Sequence, residues 1–298
     1  MKVAVFYPRS TGQVWSVSRG LCTTLTRMGH DVLDASISTV QHDHLVGQDL
    51  ILVSGPEYMW RTLRERYQHW DDLPATKYGW VHETVHREDY DTNPIAVNGK
   101  LPTQEFLSLF HTVFTPALQD TKYGFQYLPF GVDTEMFKPA PKVHTNLFIG
   151  SLYQKRREFL SKYPVVSVYK HMDFLMYKSR VSFTKYTEMT SEAQAVINLP
   201  MLTDVNGTRV YEGLACRAFV VTPKGAVGDY SMFESGKHLM YYYDSPLEII
   251  QKYFVPVYRP KRVGEFHLTE EAKSIAETGY QEVLHRHTLE QRLRTMLA

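Results

Sequence analysis

Both halves of the chain alternate short apolar runs with turn residues and stretches of helical periodicity. Residues 3–7 form such a run, Gly12 follows in a turn, and apolar residues then recur at helical spacing as far as Gly29. Residues 31–37 read as the next strand. Strand, helix and strand in this order build a parallel sheet, because parallel strands need a crossover connection. The pattern predicts an α/β protein, and 298 residues leave room for two domains.

The same reading gives the other elements and the domain limits. Strands are predicted at 49–54, 77–82, 113–115 and 126–129, and then at 146–149, 165–169, 195–199 and 218–222. Helices are predicted at 59–69, 154–163, 208–216 and 245–253, with a last helical stretch at 269–297 that breaks near Gly279. The proline-containing segment 138–141 reads as a linker. We therefore expect an N-terminal domain over residues 1–139, a C-terminal domain over 140–280 and a C-terminal helix over 281–298.

Composition excludes several classes of protein. Lys and Arg total 33 against 32 Asp and Glu, so the net charge of +1 supplies no general field for nucleic acid or an anionic bilayer. No apolar run approaches the roughly 20 residues of a membrane span. Two cysteines, Cys22 and Cys216, indicate neither a disulfide framework nor a thiolate metal site. These features predict a cytoplasmic protein whose anionic ligands are held by a local site.

A basic helix start follows the first strand of the second half. Gly150 and Ser151 form a turn after residues 146–149, and Lys155 and Arg156 open the next helix. The backbone N–H groups and the positive end of that helix point to the same place as the basic side chains, an arrangement suited to a diphosphate. A solvated charged face is the alternative. The G-x-G-x-x-G fingerprint is absent, which argues against a nicotinamide enzyme.

The segment 206–222 carries the most specific pattern in the chain. A polar turn of Asn206, Gly207 and Thr208 enters a short helix bearing Arg209 and Glu212, and a wholly apolar strand follows. A carboxylate on an otherwise apolar helical face is costly to bury unless it is paired or accepts hydrogen bonds from hydroxyls. A ribose diol is a suitable partner, and an ion pair with Arg209 is the alternative.

Three ordered segments, 148–160, 209–216 and 232–242, resemble successive signatures of the group 1 glycosyltransferases, most of all of the CgeB-like branch. The resemblance implies a GT-B fold, in which two Rossmann-like domains face a central cleft and the C-terminal helix crosses back to the N-terminal domain. It also implies that Glu212 binds the ribose of a nucleotide-sugar donor, while Lys155 or Arg156 and the turn 206–209 hold the diphosphate. One position departs from the family pattern, since Arg217 stands where a glycine is usual. A side chain is tolerated there if its φ is negative.

Candidate catalytic residues follow a strand of the first half. His82, Glu83 and His86 come after residues 77–81, at the edge of the sheet where open α/β folds bind ligands. One of them serves as a general base for an acceptor hydroxyl in an inverting reaction, or orients donor and acceptor in a retaining one. The alternative is that they are loop residues bonded to each other or to solvent. Gly12 lets the backbone approach an acceptor or phosphate, or merely makes a tight turn.

The expected activity is metal-independent, retaining transfer of a hexose from a nucleoside diphosphate sugar to an unidentified hydroxyl acceptor. Lys155, Arg156 and Arg209 neutralise the leaving diphosphate, and the nucleotide sugar is a co-substrate, so no further cofactor is expected. Two alternatives stay open: a non-catalytic nucleotide-sugar-binding protein and a GT-B sugar-nucleotide epimerase. A narrower variant, modification of DNA or another polymer, rests on Arg61, Arg64 and Arg66.

Overall fold

The structure is a computed structural model. It describes residues 1–7, 16–36, 42–55, 69–82, 107–149, 154–162, 172–175, 182–199, 205–225, 230–259 and 262–298. The chain divides into two compact units. Unit 1 comprises Met1–Phe130 together with Arg292–Ala298, and unit 2 comprises Gly131–Gln291. Among the helices within the described ranges, none is long and apolar enough to cross a membrane.

Unit 1 is built on a six-stranded parallel sheet of order β2-β1-β3-β4-β5-β6. Its strands are β1 (Lys2–Tyr7), β2 (Asp31–Ser36), β3 (Leu50–Gly55), β4 (Thr76–Val81), β5 (Thr112–Thr115) and β6 (Gln126–Tyr127). Helix α1 (Ser16–Arg27) joins β1 to β2, and 3₁₀ turns occur at His42–His44 and Leu118–Tyr123. Strand β3 is buried along its whole length, as expected of a strand inside a parallel sheet.

Unit 2 contains a five-stranded parallel sheet of order β11-β10-β9-β7-β8. Its strands are β7 (His144–Ile149), β8 (Met172–Leu175), β9 (Ala193–Ile197), β10 (Phe219–Pro223) and β11 (Met240–Tyr242). Its helices are α2 (Gln154–Lys162), α3 (Phe183–Glu192), α4 (Thr208–Ala215), α5 (Leu247–Tyr253) and α6 (Glu270–Arg286). An antiparallel hairpin of β12 (Phe254–Arg259) and β13 (Arg262–Leu268) lies between α5 and α6. The last helix of the chain is α7 (Leu289–Leu297).

Most of the predicted elements are confirmed, with ends shifted by one or two residues. The predicted helix at 59–69 lies outside the described residues except for its last residue, and so does the whole of the predicted strand at 165–169. Strands β8 and β11, helix α3 and the β12–β13 hairpin were not predicted. Three of these four elements are short or rich in threonine, and their periodicity is correspondingly weak.

The predicted helix break near Gly279 is wrong. Helix α6 runs through Gly279 to Arg286, and the interruption falls at His287–Thr288, where Val132 pairs with the chain. A Cβ atom at position 279 would lie 2.1 Å from the carbonyl oxygen of His238 and 2.7 Å from a methyl group of Leu214. Glycine at this position therefore permits close packing of α6, and it does not end the helix.

Candidate functional site

The strands of unit 2 end in a polar layer. Asn198 follows β9 directly, and its Nδ2 donates to Thr222 Oγ1 on the neighbouring strand at 3.4 Å. The hydroxyl of Tyr242, on the next strand, donates to the Asn198 carbonyl oxygen at 2.6 Å. Asn198 is 1% exposed, and its side-chain oxygen has no hydrogen-bond partner among the residues that the structure describes. This is the carboxyl edge of the sheet, where open α/β folds bind their ligands.

The amino terminus of α4 lies on the same connection from β9. No side chain caps this helix, because its N-cap residue is Gly207. The preceding Asn206 is buried. Its Oδ1 accepts a hydrogen bond from the Tyr241 hydroxyl at 3.1 Å, whereas its Nδ2 has no hydrogen-bond partner within the described part of the chain. Thr208 and Arg209 then occupy the first turn. First-turn N–H groups without a capping side chain attract anions, and a buried amide without a partner marks a place where a ligand supplies the missing hydrogen bond.

Glu212 lies one turn further along α4 and is 2% exposed. Its carboxylate accepts a hydrogen bond from the hydroxyl of Tyr186, which lies 26 residues upstream on α3. Burial raises the pKa of Tyr186 well above its usual value, and the nearby Glu212 charge raises it further, against a smaller lowering by Arg209. Tyr186 therefore stays protonated and remains a donor. The sequence pattern around Glu212 predicts a ribose or Arg209 as its partner and gives no signal of Tyr186, which lies on another helix.

Lys142 holds the carboxyl ends of α3 and α4 together. Its ammonium donates to the carbonyl oxygens of Ser191 at 2.9 Å and of Cys216 at 2.6 Å, and these residues lie at the ends of the two helices. A cation at a helix carboxyl terminus is favourable because it faces the negative end of the helix dipole. The helices that carry Tyr186 and Glu212 are thus fixed to each other at one end.

The residue that replaces the expected glycine does not have a negative φ. Arg217 follows α4 with φ of 55°, in the left-handed region that glycine favours. Two contacts offset this strain: the guanidinium lies 2.9 Å from the Glu277 carboxylate and 4.7 Å from the centre of the Tyr280 ring. The condition of a negative φ is therefore not met, and the left-handed helix end is kept with a side chain in place.

The second predicted anion-binding element is only partly described. Helix α2 follows β7, which pairs with β9, so α2 and α4 both start from neighbouring strands at the point where the strand order reverses. Lys155 lies in the first turn of α2, and Arg156 beside it is 5% exposed. Gly150 and Ser151 lie outside the described residues.

In unit 1, His82 follows β4 and is partly buried. Its Nε2 lies 2.9 Å from the hydroxyl oxygen of Ser54, at the end of β3, and that oxygen lies 3.3 Å from the hydroxyl of Ser18 on α1. The rings of Trp80 and Phe130 contact the imidazole edge-on. Burial lowers the pKa of His82 to about 3, so the ring is neutral at pH 7.

The structure does not describe the remaining candidates of the first half. Glu83, His86 and Gly12 lie outside the described residues, as do Arg61, Arg64 and Arg66. Within the part of the chain that the structure does describe, no three His, Cys, Asp or Glu side chains are grouped so as to hold a metal ion. Burial raises the pKa of Cys216 to about 12, so this thiol is not a nucleophile at neutral pH.

Comparison with known proteins assigns the family. A family model described as glycosyl transferase-like matches residues 136–298, which is more than half of the chain. No curated protein matches the chain by sequence. Three solved structures with the same fold illustrate the structural likeness. Sucrose-phosphate synthase from Thermosynechococcus elongatus is 12% identical with a TM-score of 0.60, and the match covers 99% of this chain and 97% of that one.

HepE from Anabaena, solved in complex with UDP-glucose, is 10% identical with a TM-score of 0.63 and coverage of 100% and 99%. A glycosyltransferase from Rickettsia africae is 13% identical with a TM-score of 0.53 and coverage of 99% and 96%. At these identities the likeness shows the fold, which is the two-domain, Rossmann-like GT-B fold. Since the family model spans more than half of its residues, this chain belongs to the glycosyl transferase-like family.

Proposed function

We propose that this protein transfers a hexose from a nucleoside diphosphate sugar to a hydroxyl acceptor, with retention of configuration and without a metal ion. The observation that carries the proposal is the amino terminus of α4. There an uncapped helix end precedes Arg209 and the buried Glu212, and the Nδ2 of Asn206 has no hydrogen-bond partner among the described residues. The complex of the similarly folded HepE with UDP-glucose supports a donor of this class.

The diphosphate is assigned to the amino-terminal end of α4. Gly207 and Thr208 present backbone N–H groups there, and Arg209 adds a positive charge. We assign the turn at Gly150 and Ser151, with Lys155 or Arg156 of α2, to the other side of the same anion. Negative charge grows on the diphosphate as the sugar becomes oxocarbenium-like, so fixed positive groups stabilise the transition state more than the bound donor.

The ribose is assigned to Glu212. An ionised carboxylate accepts about four hydrogen bonds, and the Tyr186 hydroxyl supplies one of them. The hydroxyls of a ribose diol supply others, and these hydrogen bonds offset the cost of burying the carboxylate. Tyr186 then orients the carboxylate, because its own hydroxyl stays protonated.

The acceptor is assigned to unit 1. His82 is the candidate catalytic residue with a described environment, and Glu83 and His86 follow it in the chain. Gly12 is kept as a candidate contact to the acceptor or the phosphate. A neutral imidazole suits an uncharged hydroxyl acceptor, since it offers hydrogen bonds without attracting anions.

The test is a thermal-shift screen against UDP-, GDP-, ADP-, CDP- and dTDP-glucose. A ligand at 100 times its Kd adds about 2.7 kcal/mol to the stability of the folded protein. We expect one nucleotide series to stabilise the wild type and to fail with Glu212→Ala and Arg209→Ala. Glu248→Ala is the matched control, because Glu248 is an exposed glutamate on α5 of the same unit. Loss of the shift in the control as well would contradict the assigned site.

Two further arms address the reaction. Slow hydrolysis of the stabilising donor, followed by NMR of the anomeric proton, tests both catalysis and retention; a bound donor that is never cleaved favours a non-catalytic binding protein instead. An EDTA arm tests metal independence. It is needed because the one Asp-x-Asp sequence, Asp89-Tyr90-Asp91, lies outside the described residues. Loss of hydrolysis in EDTA would refute the metal-free mechanism.

A further inference from the structure

A lysine at the carboxyl edge of the unit 2 sheet lies among tyrosine rings. Lys224 follows β10 directly and is partly exposed. Its ammonium lies 5.6 Å from the ring centre of Tyr241, 5.8 Å from that of Tyr230 and 6.0 Å from that of Tyr243. A cation is attracted to the negative face of an aromatic ring. The three rings therefore favour one position for the end of a long, flexible side chain.

The backbone on both sides of this lysine is held as well. The Lys224 N–H donates to the Tyr242 carbonyl oxygen at 2.8 Å, and the N–H of Gly225 donates to the Tyr230 hydroxyl oxygen at 2.7 Å. Tyr230 thus contacts this segment through both its hydroxyl and its ring. A group that is already held in place loses less freedom when it binds a ligand.

Lys224 lies on the face of the sheet that α4 covers. A Cβ atom at Gly213 of α4 would lie 2.9 Å from a methyl group of Val220, so the Val220 side chain is directed towards α4. Side chains on one face of a strand recur every second residue, which places Thr222 and then Lys224 on the same face. Thr222 pairs with Tyr241 in the register of β10 and β11, so Tyr241 shares that face.

The same tyrosine joins the lysine to the start of α4. The Tyr241 hydroxyl donates to Asn206 Oδ1 at 3.1 Å, and Asn206 directly precedes the N-cap residue Gly207. Asn206 is 4% exposed, and its Nδ2 has no hydrogen-bond partner among the described residues. A buried amide N–H of this kind needs an acceptor, and the oxygen atoms of an anion supply one. Tyr241 therefore contacts both a positive charge and an amide that is suited to an anion.

The charge of Lys224 is stabilised but not neutralised. Within the described part of the chain, no Asp or Glu forms an ion pair with Lys224, whereas Lys237, on the same connection between β10 and β11, lies 3.3 Å from the Glu234 carboxylate. Aromatic rings attract a cation without cancelling its charge. The ammonium of Lys224 thus keeps its capacity to bind an anion.

We propose that Lys224 is a further donor-binding residue, whose ammonium is held by the three tyrosine rings and binds an anionic group of the nucleotide sugar. The assignment to a donor rests on the proposed function. Two groups of such a donor have this chemistry: a phosphate of the diphosphate and, in a sugar acid, the carboxylate of the sugar. The donor-binding residues predicted from sequence follow β7 and β9, so Lys224 adds a contact from the end of a third strand, β10.

The test uses the full chain and three probes that do not depend on the base: inorganic pyrophosphate, glucose 1-phosphate and glucuronic acid 1-phosphate. Isothermal titration calorimetry compares the wild type with Lys224→Met, which replaces the lysine by an uncharged chain of similar shape. We expect Kd to rise by about 10-fold or more, because a hydrogen bond between charged groups is lost. Lys273→Met is the matched control and should change no Kd, since Lys273 is an exposed lysine of unit 2 that pairs with Glu270 on α6.

The pattern over the three probes identifies the bound group. Weaker binding of all three by Lys224→Met indicates a contact to phosphate, and weaker binding of glucuronic acid 1-phosphate alone indicates a contact to the sugar carboxylate. Unchanged binding of all three probes would overturn the proposal. A wild type that binds none of them would overturn it as well.

Variants of Tyr243 test the role of the rings. Tyr243 is 71% exposed, so its replacement should cost little stability. Tyr243→Ala should raise the Kd of the affected probes by about 2- to 5-fold, the effect of one exposed cation–π contact, and Tyr243→Phe should restore it. Wild-type affinity in Tyr243→Ala would contradict the role of the rings. Should Lys224→Met lose its fold, judged by circular dichroism, Tyr243→Ala carries the test.

The outcomes are distinguishable from those of the proposed function. If no nucleotide sugar binds while pyrophosphate binding depends on Lys224, the anion site stands and the glycosyl-transfer proposal fails. If a nucleotide sugar binds and is cleaved while Lys224→Met leaves every Kd unchanged, the proposal for Lys224 fails alone.

Discussion

The candidate residues at the carboxyl edges of the two sheets differ in charge. In unit 1, the neutral imidazole of His82 lies beside the Ser54 hydroxyl, which lies beside the hydroxyl of Ser18. In unit 2, the corresponding edge brings together a carboxylate, Glu212, and the guanidinium of Arg209, with buried amides beside them. Both edges rest on parallel sheets, so the difference comes from the side chains placed on one kind of scaffold.

This difference predicts where substitutions reduce the stability of the folded protein most. The neutral residues at the unit 1 site bury no charge that must be paired. A buried carboxylate needs a donor held in place. Tyr186 fills that role, and Lys142 bonds the carboxyl ends of α3 and α4, the two helices that carry this pair. We therefore expect changes near the charged edge to cost more stability than matched changes near the neutral one.

The largest expected effect is at the packing behind the charged edge. Gly279→Ala places a Cβ atom against the His238 backbone and Leu214, so α6 must move away from α4. We expect a loss of about 3 kcal/mol in the free energy of unfolding, measured by urea denaturation. Thr278→Ala, on the same helix, is the control and should change stability by less than about 0.5 kcal/mol. A cost below about 1 kcal/mol for Gly279→Ala would show that α6 adjusts freely.

A matched pair of tyrosine variants compares the two units directly. Tyr186→Phe leaves the buried Glu212 without its hydroxyl donor, and we expect a loss of about 2 kcal/mol. Tyr7→Phe in unit 1 removes a 2.6 Å hydrogen bond to Asp34, which is exposed, so water replaces the lost donor. Its cost should be about 0.5 kcal/mol or less. Equal losses of stability in the two variants would contradict the expected difference between the two units.

Burial of the neutral His82 ring should make the stability of the protein sensitive to acid. The folded-state pKa of His82, about 3, lies below the unfolded value of about 6.5, so over this window the unfolded chain binds the proton and the folded protein does not. Stability attributable to His82 therefore falls as pH falls below 6.5, by about 1 kcal/mol between pH 6.5 and 5.5. Urea unfolding at these two pH values measures the slope. In His82→Gln the change in the free energy of unfolding between these two pH values should be smaller by this amount. An unchanged slope would contradict burial of the neutral ring.

The smallest expected effect lies at the end of α4. Arg217→Ala keeps the left-handed φ but loses the contacts to Glu277 and Tyr280, whereas Arg217→Gly loses the same contacts and also relieves the strain. The glycine variant should be more stable than the alanine variant by about 0.7 kcal/mol. Thermal unfolding of both variants checks this, and equal melting temperatures would mean that the backbone at this position carries no strain.

The framework of the fold could be predicted from sequence because parallel sheets leave strong signals. Buried strands such as β1 and β3 read as apolar runs, and α4 and α6 show helical spacing. Helix α3 could not be predicted in this way, since its sequence FTKYTEMTSE is rich in threonine and is held by tertiary contacts and its Ser182 cap. Gly279 was misread because a glycine that ends a helix and one that permits close packing look alike in sequence.

The candidate site could be predicted only in part. Glu212, the turn at Asn206 and the place of His82 after a strand were readable because each has a local pattern. Their partners were not: Tyr186 lies 26 residues from Glu212, and Ser54 lies 28 residues from His82. Such pairs depend on which strands become neighbours, and a single sequence carries no signal of that kind. Lys142, joined to a carbonyl 74 residues away, was missed for the same reason.

The division of the chain has a consequence for folding during synthesis. Unit 2 is one continuous segment, Gly131–Gln291, whereas unit 1 needs Arg292–Ala298 in addition to Met1–Phe130. Arg292 donates to the carbonyl oxygens of Pro129 and Phe130, so α7 completes a unit whose other residues are synthesised earlier. At roughly 5–20 residues per second, unit 1 waits about 10 to 30 s for these contacts. During that interval the nascent unit 1 lacks the two hydrogen bonds that Arg292 donates.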